Sequence, residues 1–587
     1  MRRALRTGLG LAAILGVATS SSLLALDSRR PKPTVLLDQG WDAVQRQFYY
    51  YTSQGTFLMP AAWLEALEAP DGSRFMGAQH LSRYGFVHDD ATSPKNPYGW
   101  PIGLTIDTDA RNNGIAQAGL SCAACHNGQI DYRGTAIRID GGQANIDFTG
   151  FAGAMAEAVI ATGKDAARRS RFIERATALG YPGQRIEADF EALFARLRDK
   201  ADNPPAYMAG MTPPGRARLD AVNGIANAVF ADALAVPANA RTANAPTNYP
   251  HLWDIWRFDW VQYNASARQP MGRNIIETMG TGQVQIVDPR TGALLPEPER
   301  WRTNARVRNI HAIEVQLHGL RPPPWPEAVL GRIDRTRAAA GRTLFVENCA
   351  ACHGIKVIEG TTNPAEWHVP LIPLRRVGTD PNQAVNFARN RFDATKIGAG
   401  PETGVPEGLA LVGARIKRQA YIDAGVPEEQ WPAFDGFDRP DDHSPAPCGY
   451  KARPLIGVWA TAPYLHNGAV RTVFDLLSET RPARFRFGSR EYDPRRLGFS
   501  EAEGPGVITF DSSLPGNSNA GHWFTNDSAR PGRIGRALTE RERYAIIEFL
   551  KAATPETYPT ETVSRPGPMA CADNRDWARD WPATPAR

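Results

Sequence analysis

The chain has six cysteines, and four of them fall in two identical pentapeptides, Cys122-Ala123-Ala124-Cys125-His126 and Cys349-Ala350-Ala351-Cys352-His353. Two thiols three positions apart can each form a thioether with one vinyl group of a haem, and the histidine that follows then lies beneath the iron. This spacing is the attachment signature of c-type haem. Cys122, Cys125 and His126 are therefore expected to hold a first haem and Cys349, Cys352 and His353 a second, both covalently bound, with each histidine the proximal iron ligand. A zinc site built from the two cysteine pairs would leave both trailing histidines without a purpose.

Each iron has a second axial position. Between His353 and a C-terminal helix stand His368, His443, His466 and His522. His522 closes the run Gly516-Asn517-Ser518-Asn519-Ala520-Gly521, just where a cytochrome c chain returns to the open face of its haem, and is the favoured sixth ligand of haem 2. His466, in Pro463-Tyr464-Leu465-His466-Asn467-Gly468, is the alternative; its other role is a hydrogen-bonded histidine beside the haem. For haem 1 the choice stays open among His251, His311, His318, Met208, Met211, Met271 and Met279, each of which can equally be packed or exposed. An open position would admit O2 or peroxide, whereas a filled one suits electron transfer. No catalytic residue is identified.

The segment His251 to Tyr263, HLWDIWRFDWVQY, reads as core packing, as the wall of an apolar pocket, or as an electron relay between the haems. The Asp107 and Asp109 pair lacks a calcium-loop pattern and reads as a solvated turn, which leaves calcium unsupported. Cys448 and Cys571 are a candidate disulfide in an oxidising compartment. The sequence contains no His-Glu-x-x-His, no Gly-x-Ser-x-Gly and no phosphate-binding glycine loop, so hydrolytic and nucleotide chemistry have no support.

The elements that position the second motif follow from pattern. Arg337 to Val346 has helical periodicity, with Gly341 and Phe345 four apart on one face, and glycine permits a close helix crossing. Thr539 followed by Glu542 is a capping box, and Ile546, Phe549 and Leu550 form an apolar stripe behind it. These two helices are expected to cross over one haem edge. The first motif instead follows an irregular stretch, Arg111 to Ser121, with no helix before it.

The whole chain has 587 residues, 42% hydrophobic and 22% charged, a globular balance with a net charge of +5 that does not call for nucleic acid. Glycine (53) and proline (47) are abundant enough to imply long irregular connections. Arg2, Arg3 and Arg6 precede an uncharged run from Thr7 to Leu26, an export signal that is either cleaved or kept as an N-terminal membrane anchor. The expected protein is periplasmic or secreted. Its expected fold is mainly α and loop-rich, with two cytochrome c-like haem domains, the first divergent and enlarged. Residues 1–26 are the signal or anchor, 27–330 a haem-1 domain with an aromatic-rich insertion, 331–555 a C-terminal haem-2 domain, and 556–587 a proline-rich tail.

Several stretches resemble the dihaem cytochrome family that includes the bacterial rubber oxygenases and, more distantly, the dihaem cytochrome c peroxidases. They are Gln54 to Glu68, the first motif through Arg138-Ile139-Asp140-Gly141-Gly142, Trp253 to Asn274, Arg453 to Ser478, Phe487 to Phe499, and Asp511 to His522. The resemblance implies His126 and His353 as proximal ligands, and a second haem with two histidine ligands, the distal one matching His522. It implies a first haem whose distal side is left for dioxygen beneath an aromatic residue. The peroxidase-like relatives share Ala462 to Gly468 but place Met or Tyr where His522 stands. The function implied is that of a haem-dependent oxidoreductase, dioxygenase- or peroxidase-like, served by a redox partner protein or a small electron donor. The alternative is a pure electron-transfer cytochrome.

Overall fold

The computed structural model describes residues 33–89, 93–281, 285–288, 291–360, 366–436 and 446–564. About 40% of the chain is helix and 16% is strand, the strands gathered in many small sheets. The expectation of a mainly α fold is thereby corrected. Most of these strands are too short for a period-two pattern to stand out from the surrounding loops, so helical periodicity was the only signal the sequence offered. The N-terminal segment 1–26, His443 and Cys571 lie outside the described residues. Cys448 is held in a disulfide.

Around the first motif the chain uses strands. Thr56–Pro60 and Leu104–Asp107 flank Gln117–Leu120 in an antiparallel sheet. Gln117–Leu120 delivers Ser121, whose side chain accepts from the Ala123 amide and caps a single 3-10 turn, Cys122–Ala124. The hairpin Asn127–Tyr132 and Thr135–Asp140 follows at once, and Thr34–Leu36 adds to it in parallel. Ile130, Ile137 and Ile139 send this hairpin into the largest apolar cluster.

Around the second motif the chain uses helices. Asp334 caps the helix Arg335–Asn348, which buries Ala338, Gly341 and Phe345 along one stripe. That stripe meets the terminal helix Glu540–Ala552, whose capping box between Thr539 and Glu542 is complete. A Cβ on Gly341 would lie 1.9 Å from the Ala545 carbonyl oxygen, so only glycine allows this approach. Phe345 packs on Phe549 at 5.0 Å between ring centroids. Strand Ile355–Ile358 leaves the motif and pairs in parallel with Thr560–Val563.

Two further apolar clusters complete the frame. One gathers Trp63, Phe151, Phe172 and Phe190 under the helices Phe148–Lys164, Ala166–Ala178 and Gly183–Asp202. The other joins Pro270–Met279, Val307–Leu317 and Val405–Asp423. The largest cluster draws on both halves of the chain, from Tyr49 and Trp253 to Phe345, Trp459 and Phe549. Among the described residues no helix is long and apolar enough to cross a membrane.

Asp107 is not a solvated turn residue. It is buried against Arg306, whose Nε donates to it at 2.9 Å, and against the Ser53 hydroxyl at 2.7 Å. Burial alone would raise its carboxyl, but hydrogen bonds from Arg306, the Asp109 amide and Ser53 hold it below the ordinary range. Among the described residues no group of three or more His, Cys, Asp and Glu side chains is arranged to hold a metal ion.

Candidate haem sites

At the second site, the last turn of helix Arg335–Asn348 runs into Cys349 and the short helix Ala350–His353. His353 Nδ1 lies 2.9 Å from the Arg453 carbonyl oxygen, which fixes the ring and leaves Nε2 as the available lone pair. Tyr558 donates to the His353 carbonyl at 3.0 Å. Opposite stands His522, in the left-handed region at φ 51 after Gly521 at φ 77. Its amide donates to Val377 O at 2.7 Å, and Arg481 donates to the carbonyls of Gly521 and His522, both at 2.9 Å. The loop is thus tied down on both sides.

The His353 and His522 ring centroids are 6.2 Å apart, with 55° between ring planes. Two imidazoles that share one metal, with metal–nitrogen bonds of about 2 Å, have centroids about 6 Å apart. Burial lowers both imidazoles, His522 to about 3, so each ring is neutral with a free lone pair. His522 Nδ1 is buried and has no hydrogen-bond partner. A cavity is lined by Cys349, Cys352, His353, His522, Phe345 and Leu550 among others. The donor set, its spacing and this cradle fit a c-type haem.

His466 is placed differently. Its ring stacks on Tyr450 at 4.0 Å, while its carbonyl accepts from the Asn248 amide at 2.8 Å. His368 is paired with Asp259 at 2.7 Å.

At the first site, Cys122 and Cys125 flank a turn closed by the His126 amide donating to Cys122 O at 2.9 Å. Burial pushes both thiols up to about 12, which keeps them neutral. His126 Nδ1 lies 2.6 Å from the Pro250 carbonyl oxygen, the counterpart of the His353 contact. Burial lowers this imidazole to about 4. The aromatic ring against His126 is Tyr249, at 6.4 Å and 71°.

The remaining candidates lie in several settings: His251 lines the cavity of the second site, and Met211 is half-buried. His251 stacks on Trp253 at 3.9 Å, His318 on Trp256 at 4.4 Å and His311 on Phe434 at 4.3 Å. Met271 and Met279 belong to the apolar cluster behind helix Pro270–Met279, and Met208 is exposed. Among the described residues, no histidine ring faces His126 as His522 faces His353.

What the sequence did not single out is the polar side of helix Pro270–Met279. Arg273 and Asn274 both donate to Glu314, Asn274 at 2.8 Å, and Gln262 donates to Glu277 at 2.7 Å. The charges of Glu314, Glu277 and Arg273 act on Cys122, and that of Glu277 on Cys125. Glu277 is exposed, and desolvation raises its carboxyl above the ordinary glutamate range. Arg273 and Glu277, four apart in an otherwise apolar helix, were the available signal. The aromatic segment divides: Trp253 and Phe258 are core, whereas Tyr263 lines the cavity.

Residues 449–486, which include Arg453 and the turn at His466, match the family described as RoxA-like, cytochrome c-like. Over 574 residues the chain is 36% identical to "Uncharacterized protein y4iJ" of Sinorhizobium fredii, covering 88% of this chain and 92% of that protein. The chain belongs to the RoxA-like cytochrome family. A second relative, "Uncharacterized protein y4iM" of the same organism, is 26% identical over 373 residues, covering 59% of this chain and 73% of its own length. A RoxA-like cytochrome c domain carries c-type haem and gives this RoxA-like chain a redox role.

Proposed function

We propose that this RoxA-like chain is an exported dihaem cytochrome in which the two haems have different tasks. Haem 2, attached at Cys349 and Cys352 and ligated by His353 and His522, passes electrons. Haem 1, attached at Cys122 and Cys125 with His126 as proximal ligand, is the reactive centre of an oxygenase- or peroxidase-like oxidoreductase. The observation that carries this reading is the imidazole pair 6.2 Å apart at the second motif, against a first motif where, among the described residues, no histidine ring stands opposite His126.

Covalently held haem supplies one-electron chemistry and, where an axial position is open, a place for O2 or peroxide to bind. The protein's part at the first site is positioning and proton control. The Pro250 carbonyl orients His126, and Arg273 with Asn274 anchors helix Pro270–Met279 to Glu314. Glu277, hydrogen-bonded by Gln262, holds its proton above the pH at which an ordinary glutamate has lost it. At the second site His353 and His522 close both faces, which excludes exogenous ligands. The same reading assigns residues 1–26 to export or anchoring, 27–330 and 331–555 to the two haem units, and an external donor or redox protein as partner.

The test is spectroscopic, on protein matured in bacteria that attach c-type haem. A pyridine haemochrome assay is expected to give two haems per chain. Electron paramagnetic resonance should then resolve one low-spin haem with two histidines and one haem that binds CO when reduced. Two low-spin haems inert to CO would replace this reading with that of an electron carrier without substrate chemistry. Turnover trials with peroxide and with polyisoprene divide the enzymatic options.

A further inference from the structure

Lys451 and Arg453 sit two apart on an extended segment that begins in strand Gly449–Lys451, so their side chains leave the same face of the backbone while Ala452 turns into the core. Both line the cavity that holds Cys349, Cys352, His353 and His522. Among the described residues neither has a carboxylate within ion-pair distance. Arg453 Nη1 donates to the His251 carbonyl at 3.3 Å and its guanidinium lies over Tyr263 at 5.9 Å; the Lys451 ammonium lies 5.5 Å from the Phe258 ring. Asp259, the acid that acts on Lys451, is already bound to His368 and to the Val369 amide. Burial lowers both cations, and repulsion from Arg453 and Arg273 lowers Lys451 further. Two enclosed like charges without an anion are strongly unfavourable, and a carboxylate-bearing ligand relieves them.

Their position is as telling as their charge. The Arg453 carbonyl orients His353, and its guanidinium holds the carbonyl of His251, the residue after Pro250, whose own carbonyl orients His126. Arg453 acts electrostatically on both proximal histidines.

We infer that Lys451 and Arg453 form a carboxylate-binding site for haem propionates at the junction of the two haem sites, and that Arg453 thereby couples the two irons. This rests on the dihaem reading above. Arg453 is a positioning residue: its carbonyl orients His353, its guanidinium holds the carbonyl next to the one that orients His126, and it counters the propionate charge between them.

The experiment uses the full-length, haem-loaded protein and its Lys451→Met and Arg453→Met variants, with Lys396→Met as a control because Lys396 donates to the Leu234 carbonyl and acts on neither proximal histidine. Haem content is counted first; fewer than two haems in the parent protein would sink the dihaem reading rather than this inference. With two haems present, Lys451→Met and Arg453→Met are expected to shift the propionate bending modes in resonance Raman spectra. Both should lower reduction potential, Arg453→Met at both haems, while Lys396→Met leaves modes and potentials in place. Unmoved modes and potentials, or a response of Arg453→Met confined to one haem, would overturn the inference. Should the neutral variants lose haem, Lys451→Arg and Arg453→Lys decide: the charge is kept, so haem content holds while the propionate modes move, and unmoved modes overturn the inference.

Discussion

The same five residues, Cys-Ala-Ala-Cys-His, stand in two unlike surroundings. The second copy ends a helix whose glycine lets it touch the terminal helix, and a tied-down loop returns a histidine to face its own. The first copy joins a three-stranded sheet to a hairpin, and what lies toward it is a helix bearing Arg273 and Glu277. Both proximal imidazoles are oriented alike, through Nδ1 against a backbone carbonyl, Arg453 for one and Pro250 for the other. The difference teaches that the attachment motif is a local matter, whereas the orientation of each proximal ring and what stands opposite it both depend on segments far along the chain. His522 stands opposite His353, and Arg273 and Glu277 act on the first pair of cysteines.

The comparison breaks most completely if one copy is removed. Cys349→Ala with Cys352→Ala is expected to halve covalent haem by the pyridine haemochrome assay and to loosen the region around the cavity, because the cofactor supplies much of the interior there. A folded, equally protease-resistant protein with one haem would deny the second haem its structural part.

Next in size is His522→Ala, expected to convert haem 2 from low to high spin and to open it to CO. His466→Ala is expected to leave that spin state alone, since its ring rests on Tyr450. The reverse pattern transfers the ligand role to His466.

A smaller effect is expected from Gly341→Ala, which pushes a methyl group against the Ala545 carbonyl in the helix crossing of the second site only. Overpacking of this kind costs about 1–3 kcal/mol, read as a lower denaturation midpoint with both haems retained. An unchanged midpoint would mean that the two helices part at no cost.

The smallest expected change sharpens the first site. Burial raises the Glu277 carboxyl in the folded chain, so the folded state binds more protons than the unfolded state once the pH passes the ordinary glutamate range. Stability contributed by this group is present below that range and is lost as pH rises through the raised value. Glu277→Gln is expected to flatten that decline, and to remove the corresponding pH-dependent change in the ferric haem-1 spectrum. A decline and a spectral transition that both persist in Glu277→Gln belong to another group.

Legibility from sequence followed the range of the interactions. The helix before Cys349, the glycine at its crossing and the Thr539 to Glu542 cap are contiguous or periodic patterns, and the fold contains them. The balance of helix and strand was misjudged. Thr34–Leu36 pairs with Thr135–Asp140, and Ile355–Ile358 with Thr560–Val563, partners of few residues about one hundred and two hundred positions away that leave no local period. Asp107 looked like a turn residue because its partner, Arg306, lies so far along the chain.

By itself, the sequence pointed to the cofactor chemistry: two thiols and an imidazole at fixed spacing are the signature of c-type haem attachment, legible because the reactive groups are neighbours in covalent structure. Only the tertiary structure decided that His522 rather than His466 stands opposite His353, that Glu277 acts on Cys122 and Cys125, and that Lys451 and Arg453 meet with no carboxylate at ion-pair distance among the described residues. Those relations join residues from distant segments, and a linear pattern cannot state which of several histidines or cations the packing will bring together.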